Sequence, residues 1–350
     1  MAKRRTDLFS CGRRPGPRKM NLSGFFLAAL LLVAPAHADY SSHPRVAELL
    51  GKLRAEHGFT GTELAGVKRA LAQAEQVPQL IEAEQQAKEK TLTWADYRKI
   101  HVHDANRANG AKFLADYAPW LARAEARYGV PPAVIAAVLG VETKYGSYTG
   151  RHRVLDALAT QGFEHPTRSA FFFSELVEYF VLCREQGFKP AEVLGSYAGA
   201  VGAAQFMPSN YRRLAVDFDG DGKRDLWSAP DAIGSVANYF VNYAPARGWQ
   251  RGLPLMVPAR LRRDPEPDWP RNGKAYTHRV ADFLRAGVKP AVALPPDTPV
   301  GLVELTLSLE PAEYEYWLGL PNFYSVMAYN PRVYYAMAVA QLAQELQRAP

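Results

Sequence analysis

Two cysteines, Cys11 and Cys183, are all that the 350-residue chain contains. Cys11 falls in a leader expected to be removed, so the body has no internal disulfide and must hold together by packing. Cys183 lies beside the apolar run Tyr179-Phe180-Val181-Leu182 and reads as a packing residue rather than a nucleophile. Also missing is any apolar stretch of the ~20 residues that a membrane span requires. There is no internal repeat and no low-complexity tract, and an apolar share of 48% with 22% charged residues excludes wholesale disorder. Acidic residues are in deficit overall, giving a formal charge of +7, but the excess is local. Lys3, Arg4, Arg5, Arg13, Arg14, Arg18 and Lys19 stand against Asp7 alone in residues 1–38, so the rest is close to +1. A nearly neutral body has no electrostatic footprint for nucleic acid.

Those 38 residues carry the address. The basic stretch is followed by the short apolar run Phe25 to Ala34 and by Pro35-Ala36-His37-Ala38, with small residues where a signal peptidase reads. A cleavable signal peptide is expected, with Asp39 as first mature residue, from a start at Met1 or Met20. No cysteine follows the run, so neither lipidation nor a stable membrane anchor is expected.

From about Ser42 to Glu125 the pattern is helical: Leu49, Leu50 and Leu53 share a face, Val67 to Ala87 is rich in helix formers, and Phe113, Tyr117, Trp120 and Leu121 form an apolar stripe. A helix opening at Val130-Pro131-Pro132 is almost wholly apolar from Val134 to Val141 and must be buried. Ser169 to Gly187 and Pro230 to Tyr243 are further helices. Between Pro254 and Pro299 eleven residues are proline or glycine, and short β-type runs appear at Leu255–Val257, Ala291–Leu294 and Leu302–Leu307. The expected organisation is a helical domain over 39–95, a core over 96–253, a small β-containing subdomain over 254–310 and a helical segment over 311–350 that packs back on the body.

Three groups of residues carry chemistry. In Gly140-Val141-Glu142-Thr143, the carboxylate shares a helix face with Ile135, Val138 and Leu139. A glutamate there suits a general acid; on spacing alone a structural pairing with Lys144 or Arg151 is equally open. The block Gly195-Ser196-Tyr197-Ala198-Gly199-Ala200-Val201-Gly202-Ala203-Ala204-Gln205-Phe206-Met207-Pro208 lets backbone approach another surface closely. Its Ser196, Gln205 and Phe206 suit a glycan cleft. Asp217, Asp219 and Asp221 occupy positions 1, 3 and 5 of a calcium-type loop over 217–231, with Gly222 at 6 and the Lys223 carbonyl at 7. Asp225 stands at position 9. Ser228 replaces the usual glutamate at 12, and Asp231 serves in a lengthened loop. His101 and His103, beside Asp104, lack further ligands at metal spacing and read as surface residues. Trp227, Trp249 and Trp317 are core or sugar platforms; both remain open.

Gly-Val-Glu-Thr, the Gly-Ser-Tyr-Ala-Gly-Ala…Gln-Phe-Met-Pro-Ser block and Tyr329-Asn330 together resemble the membrane-bound lytic murein transglycosylase B family (glycoside hydrolase family 103) from about Trp94 to Leu346. The resemblance implies a mainly α (α+β) fold with a lysozyme-like helical core, an additional helical domain and a small β subdomain. It implies a periplasmic enzyme on peptidoglycan glycan strands that cleaves the β-1,4 bond after N-acetylmuramic acid without water, leaving a 1,6-anhydro product. Carried over by motif, Glu142 is acid and then base, and Ser196 and Asn330 orient it and the N-acetyl group. Gln205, Phe206, Tyr239 and Tyr335 line sugar subsites, with Tyr97 at one end. Arg168 pairs with lactyl or peptide carboxylates; the family has two adjacent arginines here, whereas this chain has Thr167 first. No cofactor is implied for catalysis, and structural Ca2+ or Na+ is implied in the acidic loop, held by Asp217, Asp219, Asp221, Lys223 and Asp231. A monomer is the default. Two rivals remain, a muramidase using the same glutamate with water, and a non-catalytic peptidoglycan-binding protein.

Overall fold

The computed structural model describes residues 39–85, 92–245, 248–262 and 269–348; the expected signal peptide lies outside them. After a short turn at Tyr40–Ser42 come α1 (Val46–His57), α2 (Gly61–Ala72) and α3 (Gln79–Gln85). Thr60 and Glu63 close the first turn of α2 with a reciprocal capping box. The helical run expected from Val67 onward is interrupted after Ala72. There the Glu75 N–H donates to Asp156 Oδ1 (2.9 Å) and the Val77 N–H to Thr160 Oγ1 (3.1 Å), so the backbone bonds outward to a neighbouring helix.

Next come α4 (Trp94–His101), α5 (Asp104–Asp116), α6 (Ala118–Tyr128) and α7 (Pro132–Thr143). The stripe from Phe113 to Leu121 spans two helices, because Pro119 sits in the first turn of α6 and cannot continue α5. His103 caps α5, its Nδ1 accepting from the Asn106 N–H at 3.3 Å. α7 packs against α5, α6 and later helices, which explains its unbroken apolar run: Ile135, Ala136, Ala137 and Val138 are fully buried.

The strand β1 (His152–Arg153) leads into α8 (Val154–Glu164) and α9 (Ser169–Gln186), which pack together; Cys183 is buried on α9. β2 (Leu194–Gly195) pairs antiparallel with β1, and α10 (Pro208–Leu214) and α11 (Ala229–Asn242) complete this part.

The β region holds β3 (Met256–Leu261), β4 (His278–Arg279), α12 (Val280–Arg285), β5 (Val288–Pro290), β6 (Pro299–Leu309) and β7 (Ala312–Gly319). The sheet order is β4-β6-β7-β3-β5, all neighbours antiparallel. Two expectations are corrected. The sheet runs past residue 310, since β7 is the hairpin partner of β6. Ala291–Leu294 is not a strand, and Val292 is exposed; β5 ends just before it. Alternation along β6 sends Val300 and Leu302 to a small core with Phe283, while Val303 and Leu305 join the main core. α13 (Pro321–Tyr329) follows, and α14 (Val333–Arg348) lies along α7. Among the described residues no helix is long and apolar enough to cross a membrane.

Candidate active site

Glu142 is in the last turn of α7 and is half-buried. The chain then runs through three left-handed residues, Lys144 (φ 50°), Tyr145 (φ 61°) and Gly146 (φ 82°). The two that are not glycine each cost about 1–2 kcal/mol. The surroundings hold the turn: the Tyr145 hydroxyl donates to the Asn106 carbonyl (3.0 Å), and the Gly146 N–H to Thr143 Oγ1 (2.9 Å). Thr143 Oγ1 in turn donates to the Ala203 carbonyl at 2.8 Å. A side chain at Gly140 would collide with the Tyr145 ring, so glycine there is needed for the turn to close. The result is a fixed carboxylate.

Its partner comes from α14. The Tyr335 hydroxyl donates to Glu142 Oε1 at 2.6 Å. Burial, and then the Glu142 charge, hold this phenol well above its ordinary pKa, so it stays a donor. The Tyr329 ring lies parallel to that of Tyr335, with centroids 6.4 Å apart, and its hydroxyl donates to the Ala204 carbonyl. Tyr239 packs on Tyr329 at 4.6 Å and donates to the Ala328 carbonyl (2.7 Å). Phe206 closes the cluster against both rings, at 5.6 and 5.8 Å.

The glycine- and alanine-rich block forms the adjoining wall. A Cβ at Gly195 would meet the Ala200 carbonyl, and one at Gly202 would meet Leu226. Ser196 Oγ accepts from the N–H groups of Ala200 (3.0 Å) and Ala198 (3.3 Å), which leaves its proton for a ligand. Gln205 is left-handed (φ 50°), and its Nε2 donates to the carbonyls of Gly202 (2.9 Å) and Thr149 (3.0 Å).

Two cavities share these walls. The smaller, about 350 Å3, is lined by Glu142, Ser196, Gln205, Asn330 and Arg168 among others. The larger, about 870 Å3, has Tyr239 and Tyr243 on its wall and does not reach Glu142. Arg168, Phe171, Met207, Tyr329 and Pro331 border both, making one continuous groove. Arg168 lies over the Phe171 and Phe172 rings, 4.9 Å from each centroid.

Five of the expected residues, Glu142, Ser196, Gln205, Asn330 and Arg168, therefore face the groove; Tyr239 is part of its wall but is 2% exposed beneath the Tyr243 ring, and three do not reach it. Phe206 is 1% exposed because Tyr239 and Tyr329 cover it, so it backs the wall instead of meeting sugar. Tyr335 is likewise buried, its hydroxyl turned to Glu142. Tyr97 is buried against Trp94, His101 and Tyr334 and lines neither cavity. Sequence reasoning missed Phe171, Met207 and Tyr329 as groove residues, although Tyr329 adjoins Asn330 in a quoted motif.

In the acidic loop, carboxylate oxygens of Asp217, Asp219 and Asp231 lie within 4.8 Å of one another. Asp231 is buried at the start of α11; burial is the main reason its carboxyl is held above the usual range. It accepts from the Phe218 and Asp225 N–H groups, each at 2.7 Å. Three hard oxygen donors so close together fit Ca2+. Asp221 stays outside the cluster, its Oδ1 accepting instead from the Lys223 N–H at 2.8 Å, so it is not brought to the ligand set. The loop is tied to the glycine- and alanine-rich block behind the groove, as the Ala203 N–H donates to the Leu226 carbonyl at 2.7 Å.

Comparison with known proteins places this geometry. The family model described as Transglycosylase SLT domain matches residues 44–344, beginning well before the Trp94 read from motifs alone. The membrane-bound lytic murein transglycosylase B of Escherichia coli strain K12 is 35% identical over 352 residues, 96% of this chain and 94% of that protein. The crystal structure of the lytic transglycosylase SltB1 from Pseudomonas aeruginosa superposes with a TM-score of 0.79 at 40% identity, over 88% of this chain and 99% of that one. Escherichia coli lytic transglycosylase Slt35, solved in complex with calcium, gives 0.78 at 36% identity, over 89% and 96% of the two chains. With a family model spanning most of its length and these relatives alongside, the chain belongs to the transglycosylase SLT domain family.

Proposed function

We propose that the chain is a lytic murein transglycosylase that cleaves peptidoglycan glycan strands in the periplasm, with Glu142 as general acid and then general base. Glu142 is the one carboxylate on the wall of the smaller cavity among the described residues, and that observation carries the reading. Two-carboxylate glycosidases place a second acid across the scissile bond. Here the other groove acids are engaged: Glu175 has both oxygens on Ser209, through its N–H (3.0 Å) and Oγ (2.6 Å), and Glu178 pairs with Arg212.

A single carboxylate suffices if the substrate supplies the rest. Protonated Glu142 gives its proton to the glycosidic oxygen as that bond to C1 of N-acetylmuramic acid breaks. The substrate's own N-acetyl carbonyl stabilises the oxocarbenium-like carbon, with Asn330 and Ser196 positioned to hold the group. Tyr335 donates to the carboxylate that results. Glu142 then takes the proton of the C6 hydroxyl, whose oxygen bonds to C1, which restores the acid and yields the 1,6-anhydro end. Attack within one sugar has a high effective molarity and needs no water.

Calcium fits the loop at Asp217, Asp219 and Asp231, where it supplies positive charge to a repelling cluster and takes no part in the reaction. Residues 1–38 read as the export signal. The test is mass spectrometry of muropeptides released from purified sacculi by the protein beginning at Asp39, with Glu142→Gln alongside. Products one water lighter than reducing muropeptides, absent with the variant, are expected. Reducing ends would mean that water is the nucleophile, and wild-type release by Glu142→Gln would remove the residue from the mechanism.

A further inference from the structure

The larger cavity has a charge pattern that glycan cleavage does not use. Its wall carries Arg168, Arg212, Arg213 and Lys274 near the acids Glu175 and Glu178. Arg212 is neutralised by Glu178 and by Glu185 (2.8 Å). Glu175 is held by two hydrogen bonds from Ser209 and forms no ion pair with the remaining cations among the described residues. Apart from Arg168, which belongs to both cavities, two cations are left over. Arg213 lies over the Tyr243 ring at 4.9 Å and donates to Asn210 Oδ1 at 3.3 Å, contacts that fix the guanidinium without cancelling its charge. Lys274 makes no ion pair among the described residues and comes from a different part of the chain, the segment preceding β4.

That segment is tied down. Asn272 Nδ2 donates to the Glu304 carbonyl (2.8 Å), and its Oδ1 accepts from the Glu304 N–H (2.9 Å), so β6 holds the turn that presents Lys274 to the cavity. Nor is the pair a by-product of a basic protein, since the chain beyond residue 38 is close to neutral.

From this we infer that Arg213 and Lys274 form a cationic clamp for the carboxylates of the peptide stems on the glycan, so that stem-bearing strands are preferred over denuded ones. The inference rests on peptidoglycan being the substrate. On a stem-bearing strand the stem amidates the lactyl carboxylate, so the sugars are uncharged and suit the aromatic wall at Tyr243, while the stems bring anions to the rim. It also gives the β subdomain a role: it delivers one jaw of the clamp.

Affinity tests this separately from catalysis. In a Glu142→Gln background, calorimetric titration would compare muropeptide-bearing glycan oligomers with the same oligomers after amidase removal of the stems, which keep the lactyl carboxylate. For stem-bearing oligomers, Arg213→Gln and Lys274→Gln are each expected to weaken binding about two- to fivefold, and the double variant about tenfold. Denuded oligomers should bind all variants alike, and Arg213→Lys should retain most of the preference. The stem preference should also fade in high salt. Equal losses on both ligands would assign the residues to the glycan or lactyl group, and no loss on either, or no binding by the parent, would likewise overturn the clamp. Absence of anhydro products from the wild type would sink the proposed reaction and leave this comparison standing.

Discussion

Replacing Tyr335 by phenylalanine removes one oxygen atom from the structure and one hydrogen bond from Glu142. That bond is 2.6 Å long, donated by a buried phenol to a half-buried carboxylate. A hydrogen bond to a charged group contributes about 1.5–3 kcal/mol. It matters most when Glu142 has just released its proton and carries negative charge, which makes it an interaction of the transition state more than of the resting acid. At ~1.4 kcal/mol per factor of ten, its loss should lower kcat roughly ten- to hundredfold with little change in KM. The phenyl ring keeps its place parallel to Tyr329, so the melting temperature should hold within a few degrees. The assay is initial-rate release of anhydromuropeptides at fixed protein concentration, paired with a thermal melt. A kcat within twofold of wild type would refute the argument and make Tyr335 a packing residue. A collapse in stability would show that the hydroxyl holds α14 to α7 and not merely the acid in its orientation.

Three other outcomes follow from the same structure. Chelation of calcium, or Asp231→Asn, should lower both melting temperature and activity, because Leu226 within the loop holds Ala203 in the block that backs the groove; a chelator that changes neither would remove the metal from the account. Cys183 should resist a thiol reagent at pH 8 until the protein is unfolded, since burial pushes its thiol up to about 12; rapid labelling of the native protein would contradict this. Burial, opposed by the Ser209 hydrogen bonds, holds Glu175 above its ordinary value, so the folded state binds that proton more tightly than the unfolded chain does. Stability is then gained as pH falls through the raised value and lost as it rises. Glu175→Gln should flatten that part of a plot of melting temperature against pH, and an unchanged slope would argue against the assignment.

Much of this was readable in the chain itself. The Pro131-Pro132 start and the apolar run behind Glu142 identify α7 as a buried helix, and Gly187 marks the end of α9 where the helix stops. Glu142, Ser196, Gln205 and Asn330 meet in one cavity although 188 positions separate the first from the last, and motif order was enough to propose them together. What sequence did not carry is direction. Phe206 follows a left-handed Gln205, and that single dihedral helps turn the ring into the wall instead of the groove. Tyr335 reads as an aromatic platform until a distance shows its hydroxyl on the acid. The break after Ala72 depends on Asp156 and Thr160, partners from a distant helix that no local pattern announces. β7 was hidden because Ala312–Tyr316 is mostly exposed and reads as polar.

The left-handed run after Glu142 divides the groove mechanically. One side works as an anvil: α7 is enclosed, its exit is clamped by Tyr145 and Thr143, and its carboxylate cannot retreat without dismantling the core. The facing side hangs on the short non-helical link Asn330–Arg332 between α13 and α14, whose residues border the groove and are only partly covered or exposed. Whatever stretch of polymer the groove takes, the acid keeps its aim, because the contacts that hold it belong to the core and not to that link.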